Sequence, residues 1–522
     1  MRQIALVLGL LALACTPALP SPSAPDLPPT DIPQHLRVIS GLIPANLTPA
    51  AGSVGHSIFW TLYDSVTQFG PDFAVRPSVA QRWDLSQDGS AWTLVIRPDM
   101  TWPDGSALTA DDIAFSFDQL RQRRWPQAAL FSSVASATAT DRTTVVLATR
   151  TPDITIPNNL AYLWVLPKAH IERVGMDQFT ASPAGSGPYQ IDDYRPGVSL
   201  TVKKRSAGPG GRLHAFRRPI ADEIRFLAMV DPVQKINGLR SGEADIAAVQ
   251  TFTASQVDLL QDGGMTVMTF PLATMALAFP DGALTLRTSP LRDRRVRLAL
   301  NYAVDKAAIA SLFYGSEPVG QYASPGSQYW DSAAIPFPHD LSRARHLLTE
   351  AGYPAGLRID SGIEYQPNII PTEIALAVQS SLAEAGIDVP IVPLEANAFL
   401  EKAYGRNGQL KAELFGTVTI DSNGFATSMR SLLGCSSPSG GGPAGRWYCN
   451  REWDRLIAEA STERDPVRRG ALMREANRLQ REDVPFLFLI IQPGYTVVAP
   501  NIRGLEIPSL RMFNFDSAYR VR

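Results

Sequence analysis

Few residues in this chain have the types and spacing that chemistry requires. Six histidines, His35, His56, His170, His214, His339 and His346, are scattered. None precedes a Glu, so there is no HExxH zinc helix. His339 and His346, seven positions apart, could share a helix face only if no new helix began at Asp340, and they read as solvated or packed side chains. No Lys follows a Gly, which removes the Walker phosphate loop, and no Gly-x-Ser-x-Gly turn presents a nucleophile. Gly440, Gly442 and Gly445 satisfy GxGxxG. No strand precedes them and Pro443 interrupts them, so they read as a loop and not a dinucleotide site. No carboxylate spacing pairs an acid with a base. Catalysis is not visible in these residues, and neither a cofactor nor a metal site is expected.

The three cysteines speak of the compartment. Cys15 closes an apolar run, Ile4 to Ala14, that follows Arg2. That run is far short of the roughly 20 residues a membrane span needs and reads as a signal-peptide core. Ala14-Cys15 is similar to a lipoprotein cleavage box, although Ala12 and Leu13 depart from the usual pattern. Cys15 is the expected lipidation site, with simple signal cleavage as the alternative. Residues 16–35 are rich in proline and read as an extended tether to the folded body. In an oxidising compartment Cys435 and Cys449, 14 positions apart around a Ser/Gly/Pro loop, are expected to pair. A metal or redox pair would need CxxC spacing or nearby histidines.

The elements that hold these residues come next. The 522 residues are 45% hydrophobic and 19% charged, enough apolar material for several cores. A net charge of -2 offers no basic field for nucleic acid or an anionic membrane surface. Arg82 to Arg97 reads as a hairpin turning at Asp88-Gly89, and Trp83, Trp92 and Trp102 read as its core. Thr109 with Asp112 starts a helix. Helical stretches over Arg294–Tyr314, Arg343–Ala351 and Glu373–Ala385 each stop at a glycine: Gly315, Gly352 and Gly386. The last two lead into extended segments, an α/β order. Pro485–Ile491 reads as a strand interrupted by Gln492-Pro493-Gly494. Trp447-Tyr448-Cys449 reads as packing over the disulfide.

Taken together, the segments resemble the extracytoplasmic solute-binding proteins of ABC transporters that include the oligopeptide-, dipeptide- and nickel-binding proteins (family 5). The resemblance is carried by Pro77 to Trp83, Asp88-Gly89, Trp92-Thr93-Leu94, Trp102, Asp104-Gly105 and Leu108 to Ile113. Further matches are Gly185 to Tyr189, Ser241 to Ile246, Val296 to Asp305 and Ala351 to Pro354. It implies an α/β, two-lobed periplasmic-binding-protein fold (type II) with an extra subdomain and two hinge crossings, near Phe279–Gly282 and Ile491–Gly494. Mapped on this chain, residues 1–15 are the signal and 16–35 the tether. Lobe one is 36–284 with a subdomain at 76–185, lobe two is 285–490, and 491–522 returns to lobe one. The implied function is to capture a peptide or peptide-like solute outside the cytoplasmic membrane and deliver it to an ABC permease with its ATPase subunits. The expected protein is monomeric and touches the membrane only through its lipid. Receptors of this fold also take metal chelates, opines or glycans, and a sensory lipoprotein without a transporter is a further alternative.

Site residues follow from the same resemblance. Peptide-binding relatives carry an Asp just after a Trp-containing strand; here Phe415 stands near the Trp, and Thr417 or Val418 where the Asp is expected. Asp421, beside Asn423, is the available substitute, and Arg430 an anion partner. The segment that holds a carboxylate-binding Arg in dipeptide binders reads Tyr365-Gln366-Pro367-Asn368 and has none. The missing anchors argue against a free dipeptide and leave a longer peptide held through its backbone. The expected ligand contacts are Tyr365, Gln366, Phe415, Thr417, Asp421, Asn423 and Arg430.

Overall fold

The structure, a computed structural model, describes residues 29, 31–48, 56–70, 74–205, 217, 219–249, 252–279, 289–323, 325, 330–367, 369–395, 398–399, 402, 414–419, 434–435, 448–509 and 512–522. His35–Ser40 (β1) opens it. Ala80–Leu85 (β2) and Ala91–Ile96 (β3) form the expected hairpin, with Gly89 at φ 76° in the turn. Asp112 accepts the Thr109 N–H at 2.8 Å, closing the capping box of helix Ala110–Gln122 (α1). Val134–Ala139 (β4) and Thr144–Thr149 (β5) complete a four-stranded sheet ordered β2–β3–β5–β4. Helix α1 buries Ile113, Phe117 and Leu120 in the core that also takes Trp92 and Trp102, with Trp83 at its margin.

Tyr189–Arg195 (β6), Ser199–Lys204 (β7), Glu223–Ala228 (β8), Ile246–Val249 (β9) and the 13-residue Thr266–Ala278 (β10) follow. Arg294–Ala303 (α2) and Lys306–Ser311 (α3) replace the single helix expected over Arg294–Tyr314. The break comes at Asp305, whose carboxylate caps α3 by accepting the Ala308 N–H at 2.9 Å. Leu341–Glu350 (α4), Ile363–Tyr365 (β11), Thr372–Glu384 (α5), Ile391–Pro393 (β12) and Leu414–Thr419 (β13) build the next layer. Gly352 and Gly386 take φ 95° and 86°, as helix stops require. Arg451–Ala460 (α6), Pro466–Asp483 (α7) and the 13-residue Phe486–Val498 (β14) come last before the C-terminal segment.

Among the described residues these strands form one eleven-stranded sheet, ordered β12–β11–β13–β10–β14–β9–β1–β8–β7–β6, with Glu317–Pro318 added on β14. Strands β10 and β14 run antiparallel along their full length and belong to both ends of it. On one side Tyr495 to Val498 of β14 pair with β9, and Tyr495 and Val497 pack with Ile39 and Val257. On the other, Thr274 to Ala278 of β10 pair with β13. There Met275, Leu277, Leu487 and Leu489 pack under α2, α4 and α5. On the opposite face Phe415, Phe486 and Phe488 pack under α6 and α7 around Trp453 and Met473. The result is a two-lobed fold joined by two strands.

Of the expected crossings, Ile491–Gly494 is described in full and Phe279–Gly282 only at Phe279. Sheet neighbours change between Phe270 and Thr274 in β10, upstream of Phe279, and between Ile491 and Tyr495 in β14. Gln492-Pro493-Gly494 does not interrupt β14, because Phe270 lies opposite Gly494 and Pro271 opposite Pro493, with a register shift before Ala273. Neither proline has an N–H to give, so this rung of the ladder is its weakest. A rung without donors, between two well-bonded ends, is where a rotation of the lobes costs least. The C-terminal segment packs elsewhere: Phe513, Phe515 and Ala518 share a core with Leu36, Val38 and Phe226.

Candidate functional site

Strand direction locates the site. In lobe one β1, β8 and β9 are mutually parallel and end at Ser40, Ala228 and Val249. In lobe two β11, β12 and β13 are parallel and end at Tyr365, Pro393 and Thr419. Val249 lies opposite Tyr495, and Thr419 lies opposite Thr274, which faces Ile491. The carboxyl ends of both parallel sets therefore point at the same short segment, Gln492-Pro493-Gly494, from opposite sides. Open α/β sheets bind ligands outside the carboxyl ends of their strands. Two such edges facing each other over the crossing define a cleft with the Pro271–Pro493 rung as its floor.

The expected contact residues divide within this frame. Thr417 is buried on β13, its hydroxyl 3.0 Å from the Tyr322 hydroxyl. Tyr322 in turn stacks on Phe486, ring centroids 4.4 Å apart. Phe415, two residues earlier and on the same face, is fully buried and stacks on Phe399 at 4.7 Å. Tyr365 belongs to the other face, in the core with Ile370 and Ile374, and its hydroxyl donates to Thr372 at 3.3 Å. The structure thus brings Phe415 and Thr417 together and separates Tyr365 from them. The cause is the alternation of strand side chains: Glu364, not Tyr365, stands beside Phe415 in the register.

Gln366 immediately follows β11, at the carboxyl edge. It is 7% exposed, and among the described residues its side-chain oxygen Oε1 has no hydrogen-bond partner. A buried amide oxygen left unmatched costs about 1–3 kcal/mol. Asp421, Asn423, Arg430 and Cys15 lie outside the described residues. Cys435 and Cys449 are joined by a disulfide. The Cys435 N–H donates to the Asp454 carboxylate of α6 at 3.1 Å, which ties the loop's start to that helix. Tyr448 is buried against Trp453, centroids 5.9 Å apart, and Trp447 lies outside the described residues. His339 and His346 fall on either side of the α4 start, near Asp305 and Glu350 respectively.

Sequence reasoning missed one charged pair at the site. Lys402 places its ammonium 2.7 and 2.8 Å from the two oxygens of Glu364, whose side chain is only 11% exposed. Glu364 precedes the two expected residues Tyr365 and Gln366, but nothing in the local pattern links it to a lysine 38 positions away. Tyr322 was missed for the same reason: it meets Thr417 only through the fold.

Residues 74–435 match the family of bacterial extracellular solute-binding proteins, family 5. The chain belongs to that family. Among curated relatives it is 26% identical to the di/tripeptide-binding protein 2 of Pseudomonas aeruginosa, over 93% of this chain and 94% of the relative. Among solved structures it is similar to a dipeptide-binding protein from Pseudoalteromonas in complex with Met-Leu, at 20% identity and TM-score 0.77, covering 94% and 100% of the two chains. A binding protein from Agrobacterium tumefaciens in complex with mannopinic acid gives 21% identity and TM-score 0.75, over 94% and 100%. Family 5 members are extracytoplasmic and act with ABC permease and ATPase components. As a member of it, this chain is a solute-binding component of the ABC-importer type.

Proposed function

We propose that this receptor captures a peptide between its lobes and delivers it to an ABC permease. The observation that carries the reading is the pair of opposed carboxyl edges, β1/β8/β9 against β11/β12/β13, meeting over the Pro271–Pro493 rung. Main-chain groups at a sheet edge can pair with an extended chain that carries its own amides and carbonyls. The name of the Pseudomonas relative supports a short peptide. Thr417, Phe415 and Gln366 are the proposed contacts among the described residues, joined by Asp421, Asn423 and Arg430, with Tyr365 acting as support behind the strand. Mannopinic acid in one similar structure favours a second reading, a non-peptide solute of comparable polarity. The apolar run ending at Cys15 and the proline-rich tether support an exported protein, held to the membrane by a lipid on Cys15 and otherwise monomeric.

A thermal-shift titration of the ligand-free protein with di-, tri- and longer peptide pools tests the reading. At 100 times its Kd a ligand adds about 2.7 kcal/mol of stability. Stabilisation by a peptide pool is the expected result. No shift with any pool, alongside a shift with opine-type conjugates, would replace the peptide by the second solute class.

A further inference from the structure

The two lobes touch at a place that the crossing strands do not explain. The loop between α6 and α7 belongs to lobe two, since Trp453, Leu456 and Ile457 of α6 share a core with Phe415 and Phe486. Its Arg464 guanidinium donates to the main-chain carbonyls of Ser86 (2.7 Å) and Gln87 (3.0 Å), in the β2–β3 turn of the four-stranded sheet. Three residues before Arg464, the Ser461 carbonyl accepts the N–H of Ile154 from the loop after β5, at 3.2 Å.

Both surfaces on the four-stranded sheet are held rigid before anything docks on them. Asp88 accepts hydrogen bonds from the hydroxyls of Ser86 and Ser90 and from the Ser90 N–H, at 2.6 to 3.1 Å. That freezes the turn with the Ser86 and Gln87 carbonyls available. Asp153 does the same for the other loop: its carbonyl takes the Trp92 indole N–H at 2.8 Å, and its carboxylate takes the Ser133 and Thr155 hydroxyls at 2.6 Å. Ser461, by contrast with exposed Arg464, is buried at the end of α6. A preorganised acceptor pair and a preorganised donor thus meet one corner of the other lobe.

We propose that Arg464 and Ser461 form a latch that holds the cleft closed, a link between the lobes separate from the two crossing strands. The inference rests on the reading of the fold as a receptor that closes on its solute. A rotation at the Pro271–Pro493 rung can leave β10 and β14 paired at both ends, but it separates Arg464 from Ser86 and Ser461 from Ile154. The bond between the Tyr314 N–H and the Phe252 carbonyl (2.9 Å) also joins the lobes, but Tyr314 is tied to β14 at Tyr495, beside the pivot. Because the latch grips main-chain atoms of lobe one, it acts on every solute alike. It sets how much of the protein is closed and so scales apparent affinity without altering selectivity.

The test is small-angle scattering of the ligand-free protein, with hydrogen exchange over residues 150–155, on the parent, Arg464→Ala and Asp88→Ala. The second variant loosens the turn from the other side of the contact. Both variants are expected to show a larger radius of gyration and faster exchange at Ile154. Where a solute is known, its Kd should rise about 3- to 10-fold, by a faster off-rate and equally for each solute. An unchanged radius of gyration in both folded variants overturns the latch, whatever the exchange rates. Because the scattering needs no ligand, a failed search for a peptide leaves this result readable, and a failed latch leaves the peptide titration intact.

Discussion

Arg217 grips Asp516 through two parallel hydrogen bonds, Nε to Oδ2 at 2.9 Å and Nη2 to Oδ1 at 3.0 Å. The same guanidinium reaches Asp64 at 3.2 Å and the Trp60 carbonyl at 2.7 Å. The Arg217 and Asp64 side chains are 5% and 0% exposed. One cation thus binds Asp516 of the C-terminal segment to Trp60 and Asp64 of lobe one, in the geometry that favours arginine over lysine. Arg217→Met takes the cation away from a fully buried Asp64 and a mostly buried Asp516, and breaking such a buried pair costs about 3–5 kcal/mol. Urea unfolding should show that loss. The triple variant Arg217→Met, Asp64→Asn, Asp516→Asn should recover most of it, and a triple variant no better than the single one would refute the charge-burial explanation.

Gln366 gives opposite signs for stability and binding. Its Oε1 is buried without a partner among the described residues, so Gln366→Met removes an unmet polar group at nearly constant volume. The folded protein should be unchanged or slightly more stable. If a ligand N–H supplies the missing donor, affinity should fall about 10-fold, the worth of one hydrogen bond. Calorimetry and thermal melts on the same sample read both, and unaltered affinity takes Gln366 off the site.

Lys306 should impose a pH slope. It is 3% exposed, and its ammonium donates to the carbonyls of Asn301 and Val304 at the end of α2. Burial pushes it from its ordinary 10.5 down to about 7. The unfolded chain then binds more protons between pH 7 and 10.5, so this residue's penalty is complete below 7 and is relieved as pH rises through that window. The contribution is a rise of at most about 1.4 kcal/mol per pH unit. Lys306→Met should flatten the stability profile over that range, and parallel profiles would show that the ammonium stays charged.

The Cys435–Cys449 bridge closes a 14-residue separation, worth about 3 kcal/mol in the chain-entropy model. Reduction, or Cys435→Ser with Cys449→Ser, should lower the melting temperature without unfolding the protein at room temperature. An identical melt in reducing buffer would mean that the Cys435–Asp454 hydrogen bond and the Tyr448–Trp453 contact already hold the two ends.

How much of this was legible beforehand depended on range. The β2–β3 hairpin, the Thr109–Asp112 cap and the stops at Gly352 and Gly386 were readable, because each is decided by residues within a few positions. Phe415 and Thr417 came from family likeness, and their two-residue spacing on one strand gives them a shared face. Tyr365 was grouped with them through family likeness alone, and strand alternation put it on the far face.

What the sequence determined by itself was local: which segments are helix or strand, where they stop, and, through the ordered run of motifs from Pro77 to Pro354, the family. Only the tertiary structure decided what lies across from what. Glu364 with Lys402, Tyr322 with Thr417, Arg217 with Asp516 and Arg464 with Ser86 join residues 38 to 378 positions apart. The crossing also belongs here. Pro493 alone reads as a strand breaker, but opposite Pro271 it is a tolerated rung, since neither residue brings an N–H that the other would have to accept. Backbone preference acts over a few residues, whereas register and burial are set by the whole sheet at once.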